Sequence, residues 1–223
     1  MRVWERVRRA LLPDRCICCG AVLLQGAVCE ACRRGLPRAT GTNPVFCGRF
    51  CKRAVAPFYY KDHIRAAARR LKYKNSMPAV AFFAEEMAHA VRTGLPGIRF
   101  DLVTNVPMEA AQLRRRGYNP AARLARESAK CLGLPWIETL QQARRTGRQH
   151  TLPEGLRAAN VTDAYSVAGA DVRGKTVLLA DDILTTGSTL EECAKALQAA
   201  GAAQVYGVCA ARTLLRRRRK HDR

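Results

Sequence analysis

Residues 175–189 read KTVLLADDILTTGST, and this stretch restricts the folds open to the chain more than any other. Residues 177–180 form a short unbroken apolar run, which suits a strand buried on both faces of a parallel sheet. Two acids, Asp181 and Asp182, end the run. Thr185, Thr186, Gly187, Ser188 and Thr189 then group four hydroxyls around a glycine, and Leu190, Cys193, Ala194 and Leu197 follow on one stripe of an amphipathic helix. The order is strand, turn, helix N-terminus. Unpaired backbone N–H groups at such a terminus, the positive end of the helix dipole and the hydroxyl donors together make a seat for a phosphate group. Carboxylates beside a phosphate repel it, so the acids are expected to hold sugar hydroxyls or a divalent cation that itself holds phosphate. A sugar phosphate with a metal ion satisfies both. The spacing fits neither a Walker A loop nor a GxGxxG dinucleotide turn. The plain alternative is a strand end with capping hydroxyls, but adjacent acids on a buried strand are costly without a task.

A second pattern lies near the start. Cys16 with Cys19 and Cys29 with Cys32 make two C-x-x-C pairs. Each pair on a tight knuckle presents two thiolates, and two knuckles surround one zinc ion tetrahedrally. In a segment so poor in core residues, metal binding would supply most of the folding energy. Cys18 competes with its neighbours in a different register. Cys47 and Cys51 form a looser C-x-x-x-C, open to binding a second ion, replacing one pair or being left over, with incomplete or degenerate second-site ligands preferred; structural or redox-active thiols are the alternative. The chain has ten cysteines, but their grouping in pairs without a signal peptide favours reduced thiols and metal over disulfides.

At 223 residues the chain is long enough for one full α/β domain and a small appendage. Lys and Arg number 39 against 18 acids, a net charge of +21, so an anionic partner is expected: nucleic acid, an acidic membrane surface or a multiply phosphorylated substrate. No apolar run approaches the roughly 20 residues that span a bilayer, and residues 1–16 lack the long apolar core of a signal peptide. A cytoplasmic protein without a transmembrane segment is expected. Val3, Trp4, Val7, Leu11 and Leu12 fall at helical spacing between arginines, which suits a short amphipathic helix packed on the next domain or lying on a membrane surface.

The rest of the chain supplies the expected frame. Residues 57–60 read as an edge strand and residues 63–73 as a basic helix with Ile64, Ala67, Ala68 and Leu71 inward. Ser76 and Pro78 open another helix that runs to about Val91. Between these helices the sequence LKYKN carries Lys72 and Lys74 at a turn, as phosphate ligands or as a solvated helix end. Residues 100–107, FDLVTNVP, read as the first strand of the parallel sheet. Arg114, Arg115 and Arg116 then precede Gly117, as forks that match pyrophosphate oxygens well or as a solvated basic turn. Residues 141–160 contain Arg144, Arg145, Arg148, His150 and Arg157 with few apolar anchors, which suits a lid over a polyanion or a grip on nucleic-acid backbone. Gly201 is expected to close the helix that follows the central motif, and residues 204–211 to add a buried strand. The basic tail RRRRKHDR ends the chain. The expected division is a cysteine-rich unit over 1–55, an α/β domain over 56–213 and a tail over 214–223.

The apolar strand, paired acids and TTGST resemble the phosphoribosyl pyrophosphate signature of type I phosphoribosyltransferases. With the cysteine pairs, LKYKN, RRRGYNP and the basic segment in the same order, the chain resembles the ComF family over nearly its whole length. The resemblance implies a type I phosphoribosyltransferase-like parallel sheet with flanking helices, preceded by a small zinc-binding domain. It implies that Asp181 and Asp182 contact ribose, that Thr185, Thr186, Gly187, Ser188 and Thr189 wrap the 5′-phosphate of a ligand bound with magnesium, and that Leu184 is among the substrate-binding residues. Arg114, Arg115 and Arg116 would act on the leaving pyrophosphate with Arg144 and Arg157 from the lid, beside Lys72 and Lys74. Within the pattern, residues 114–119, Arg144, Thr146, Gln149, Arg157 and Asn160 match; Pro120 stands where glutamine is expected and Asn105 where a second proline is usual. Members are associated with natural competence, so single-stranded DNA and a helicase-like, ComFA-like translocase are the implied partners. A non-catalytic DNA-binding adaptor is the alternative.

Overall fold

The computed structural model describes residues 14–39, 46–142, 164–168 and 171–214. The expected N-terminal helix, the basic segment with Arg144 and Arg157, and the arginine-rich tail lie outside them. Four parallel strands make the main sheet: β3 (Cys51–Val55), β4 (Leu102–Asn105), β7 (Thr176–Leu184) and β8 (Gln204–Arg212), in the order β3, β8, β7, β4.

Side chains on the central strands alternate between two buried layers. Val177 and Leu179 of β7 face α6 (Ser188–Ala199), which buries Leu190, Cys193, Ala194 and Leu197. Leu178 and Ala180 face the other side, against α2 (Asp62–Tyr73), α3 (Met77–Gly94) and α5 (Pro120–Leu132). A strand covered on both faces needs apolar residues at successive positions, which is why residues 177–180 show no alternation. Helix α2 buries Ile64, Ala67, Ala68 and Leu71, the four residues its spacing selects. The helical rings Phe82 and Phe83 pack against each other and against Phe58, with centroids 5.4 to 6.3 Å apart.

Two features differ from the sequence expectation. The edge strand is Cys51–Val55, within the range expected for the first unit, and not residues 57–60. Phe58 and Tyr59 make only isolated bridges, to Arg38 and Arg212. Pairing with β8, far away in sequence, decides the matter over the aromatic propensity of Phe58, Tyr59 and Tyr60. The acids also do not end the central strand. Strand β7 continues through them to Leu184, with Asp181 opposite Cys209 and Leu184 opposite Arg212.

The N-terminal unit has two short antiparallel strands, β1 (Asp14–Arg15) and β2 (Val22–Leu23), followed by α1 (Glu30–Arg34). Its Cys16, Ile17, Cys18, Val28 and Leu36 share one buried cluster with Ile64 and Leu71 of α2, so this unit sits on the sheet domain. Strands β5 (Leu140–Gln142) and β6 (Tyr165–Val167) form a separate antiparallel pair. Helix α4 (Ala110–Arg116) connects β4 to α5. Among the described residues no helix is long and apolar enough to cross a membrane.

Candidate functional site

At the carboxyl end of the sheet β7 outruns β4. Pairing with β4 stops at Asn105 opposite Ala180, after which Asp181 and Asp182 have a strand neighbour only on the β8 side. Open parallel sheets bind ligands in such a crevice outside the strand ends. The Asp182 N–H donates to Asp181 Oδ1 at 2.7 Å, and Lys72 Nζ meets Asp182 Oδ2 at 2.9 Å with both side chains largely withdrawn from solvent. Removal from water and the neighbouring Asp182 carboxylate push Asp181 up to about 7, while the Asp182 N–H and Lys72 pull the other way.

The hydroxyl loop follows directly. Thr185, Thr186, Ser188 and Thr189 are exposed, and Gly187 is buried in the left-handed region at φ 87° as the residue before α6. Thr186 Oγ1 lies 2.8 Å from Ser188 Oγ and accepts from the Ser188 N–H at 3.3 Å. A side chain at Gly187 is excluded twice, by its φ and by the Phe46 ring, which a Cβ would meet at 2.1 Å. Leu184 is a core residue whose carbonyl accepts the Thr213 N–H, so only its backbone borders the loop. Lys74 is exposed just past α2.

The arginine turn meets the end of α2. Arg114, Arg115 and Arg116 form the last turn of α4, which Gly117 ends at φ 80°. Arg116 lies over the exposed Tyr73 ring at 5.3 Å. Asn119 donates through Nδ2 to the Val106 carbonyl at the end of β4 and caps α5 through Oδ1. The buried Asn105 accepts from Trp136 Nε1–H at 3.1 Å, a bond that proline at this position would not make.

Two residues of this frame were not among those expected, and a third, Tyr118, was expected only as a motif position. Glu191, in the first turn of α6, accepts the N–H groups of Phe50 and Cys51 at 2.8 and 3.0 Å; in sequence it reads only as an acid that complements the helix dipole. Phe46 covers Gly187, and nothing in the sequence around it announces this. Tyr118 lies inside the quoted RRRGYN motif, but its partners are remote in sequence.

In the N-terminal unit the sulfurs of Cys16, Cys19, Cys29 and Cys32 lie within 4.8 Å of one another. Cys19 Sγ and Cys29 Sγ are 3.8 Å apart. The tetrahedral edge for zinc–sulfur bonds of about 2.3 Å is about 3.8 Å, so the cluster fits a zinc ion. Cys29 N–H and Cys32 N–H point at the sulfurs of Cys16 and Cys29, as in knuckles. Burial pushes the Cys16 thiol up, but the N–H groups of Cys19, Cys29 and Cys18 outweigh it and bring it down to about 6. Cys18 instead faces the core, where burial and Cys16 push it up to about 12. Cys47 and Cys51 join no cluster of three or more ligands among the described residues: Cys51 is buried in β3 and raised to about 12 by burial, and Cys47 is exposed.

Two expectations follow. Replacing Cys16 and Cys19 together by serine should release about one zinc per chain in elemental analysis of purified protein; unchanged zinc would reject this ligand set. For Asp181, raised from an ordinary 3.8 to about 7, the folded chain binds more protons than the unfolded chain between those values. Stability is therefore lost as pH rises through that window, and Asp181→Asn removes the loss. In urea unfolding the variant should gain on the wild type between about pH 4 and pH 7; parallel behaviour would contradict the assignment.

A family model described as a phosphoribosyl transferase domain matches residues 113–223. DNA utilization protein YhgH of Salmonella typhi is 32% identical over 210 residues, covering 89% of this chain and 89% of that protein. Its counterpart in Escherichia coli (strain K12) is 30% identical over the same shares. Competence protein F of Haemophilus influenzae is 29% identical over 161 residues, 69% of this chain and 70% of that protein. The parallel sheet with helices on both faces, the clustered cysteines and these relatives agree, and the chain belongs to the ComF family.

Proposed function

We propose that the protein binds phosphoribosyl pyrophosphate with magnesium in the crevice beside Asp181 and Asp182, and that it works in the handling of DNA. The observation that carries this reading is convergence: two acids on an open strand flank, a hydroxyl loop at a helix N-terminus, and Lys72 at the acids. Asp181 and Asp182 accept the ribose hydroxyls. The N–H groups and hydroxyls of Thr185, Thr186, Gly187, Ser188 and Thr189 hold the 5′-phosphate. Lys72, Lys74, Arg114, Arg115 and Arg116 face the pyrophosphate, joined by Arg144 and Arg157 from the segment outside the described residues. The donor set suits magnesium carried in by the ligand, since the cation takes one or two carboxylates and otherwise water and phosphate oxygens. When bound, magnesium neutralises charge on the departing pyrophosphate.

In a transfer reaction a nitrogen nucleophile bonds to the anomeric carbon while the bond from that carbon to pyrophosphate breaks and its electron pair leaves with pyrophosphate. The carboxylates then lie beside the positive charge growing on the ribose ring, and the arginines beside the negative charge growing on the leaving group. The cysteine cluster holds a structural zinc within the N-terminal unit, which ends before β3.

The link to DNA is supported by the names of the relatives, DNA utilization protein and Competence protein F, and by the +21 charge. Arg116 over Tyr73 and Arg123 over Tyr118 favour a second reading, in which this basic surface binds single-stranded DNA and a ComFA-like motor while the pocket is regulatory. The two are separable by experiment. Calorimetry with magnesium should show phosphoribosyl pyrophosphate binding to the wild type. The double variant Asp181→Asn, Asp182→Asn should bind at least about a hundredfold more weakly, as expected for loss of charged hydrogen bonds, and keep its DNA affinity. Absence of binding by folded, zinc-loaded wild type would sink the first reading, and equal loss of both ligands in a folded variant would sink the separation.

A further inference from the structure

Helix α2 ends in an unusual way. In an α-helix the Asn75 N–H would bond the Leu71 carbonyl, four residues earlier. The Tyr118 hydroxyl stands between them instead: it donates to the Leu71 carbonyl at 2.6 Å and accepts from the Asn75 N–H at 3.1 Å. Both backbone groups stay satisfied while the helix stops, and Asn75 turns the chain at φ 49° before α3 begins. Lys72, next to Leu71, is the residue whose ammonium reaches Asp182 at 2.9 Å.

Tyr118 is itself fixed from several directions. Gly117 before it adopts φ 80°, and Asn119 after it is tied to the Val106 carbonyl at 2.9 Å and to the Ala121 N–H at 3.0 Å. The Arg123 guanidinium covers its ring at 4.6 Å. The phenol therefore links a turn anchored on β4 and α5 to the helix end that delivers Lys72. The arginine turn and the lysine turn meet through this one hydroxyl and through the contact of Arg116 with Tyr73.

We infer that Tyr118 is a positioning residue of the site, whose hydroxyl, inserted between Leu71 and Asn75, sets where α2 ends and so holds Lys72 against Asp182. Its effect on a phosphoribosyl pyrophosphate ligand rests on the reading proposed above; its effect on Lys72 does not. Tyr118→Phe keeps the ring under Arg123 and removes only the hydroxyl. Leu71 and Asn75 are then left to each other or to water, and the turn carrying Lys72 loses its anchor.

The test reads Lys72 directly. Full-length wild type and Tyr118→Phe, each shown folded by circular dichroism, are treated with limiting acetic anhydride, and acetylation of each lysine is followed by mass spectrometry, with exposed Lys52 as reference. Lys72 should react more slowly than Lys52 in the wild type and speed up several-fold relative to Lys52 in Tyr118→Phe. Affinity for magnesium phosphoribosyl pyrophosphate should fall about tenfold, the worth of two hydrogen bonds. Arg123→Ala removes one of several supports of the Tyr118 ring and leaves the hydroxyl in place, so it should move the Lys72 rate less than Tyr118→Phe does. Unchanged Lys72 reactivity in folded Tyr118→Phe overturns the inference, as does a larger rise in Arg123→Ala. Wild type that fails to bind the ligand would overturn the ligand reading, and the acetylation rates would still decide the role of Tyr118.

Discussion

The structure turns on the unequal lengths of two neighbouring strands. Strand β7 continues beyond Ala180, where its pairing with β4 stops, and carries Asp181 and Asp182 with one flank open. Inside a fully paired sheet covered by helices these carboxylates would be stranded away from water. At the open flank Lys72 reaches Asp182, and the Asp182 N–H turns to Asp181. The same geometry leaves the acids without a strand neighbour on the β4 side. The cost of placing two acids together and the sugar site proposed there thus have one origin, a strand that outlasts its neighbour.

The hydroxyl loop is held by parts of the chain far from it in sequence. Glu191 takes two N–H groups of the segment leading into β3, and Gln198 donates to the Phe50 carbonyl at 3.0 Å. A Cβ at Gly48 would meet the Glu191 carboxylate at 2.1 Å, so glycine is needed where this segment crosses α6. An acid in the first turn of a helix proposed to seat phosphate would repel its ligand if free. Glu191 is instead engaged by backbone donors, and the segment they belong to places Phe46 on Gly187. The edge strand therefore does more than widen the sheet: it brings a wall to the loop.

Much of this was legible in the sequence because the signals are local. The unbroken apolar run at residues 177–180, the stripe of Leu190, Cys193, Ala194 and Leu197, and the inward face of α2 follow from periodicity, and each is buried as expected. The cysteine pairs predicted their own grouping, and the structure resolves the competition by turning Cys18 into the core. What was not legible depends on partners distant along the chain. Cys51–Val55, with two basic residues, becomes a strand because β8 offers it a parallel edge, while the aromatic residues 57–60 have only isolated bridges. Continuation of β7 through two acids depends on β8 running equally far, to Arg212. The parts played by Glu191 and Tyr118 rest on contacts that span 140 and 47 residues, respectively, and no local pattern encodes them.

The central claim is that the crevice beside Asp181 and Asp182 receives a sugar phosphate. A crystal structure of the protein with magnesium and phosphoribosyl pyrophosphate tests it most directly. The 5′-phosphate should lie on the backbone N–H groups and hydroxyls of the loop and the ribose hydroxyls on Asp181 and Asp182, with Lys72 shifted from Asp182 toward the pyrophosphate. Ligand bound elsewhere, with the Lys72–Asp182 pair intact and the loop empty, would contradict it.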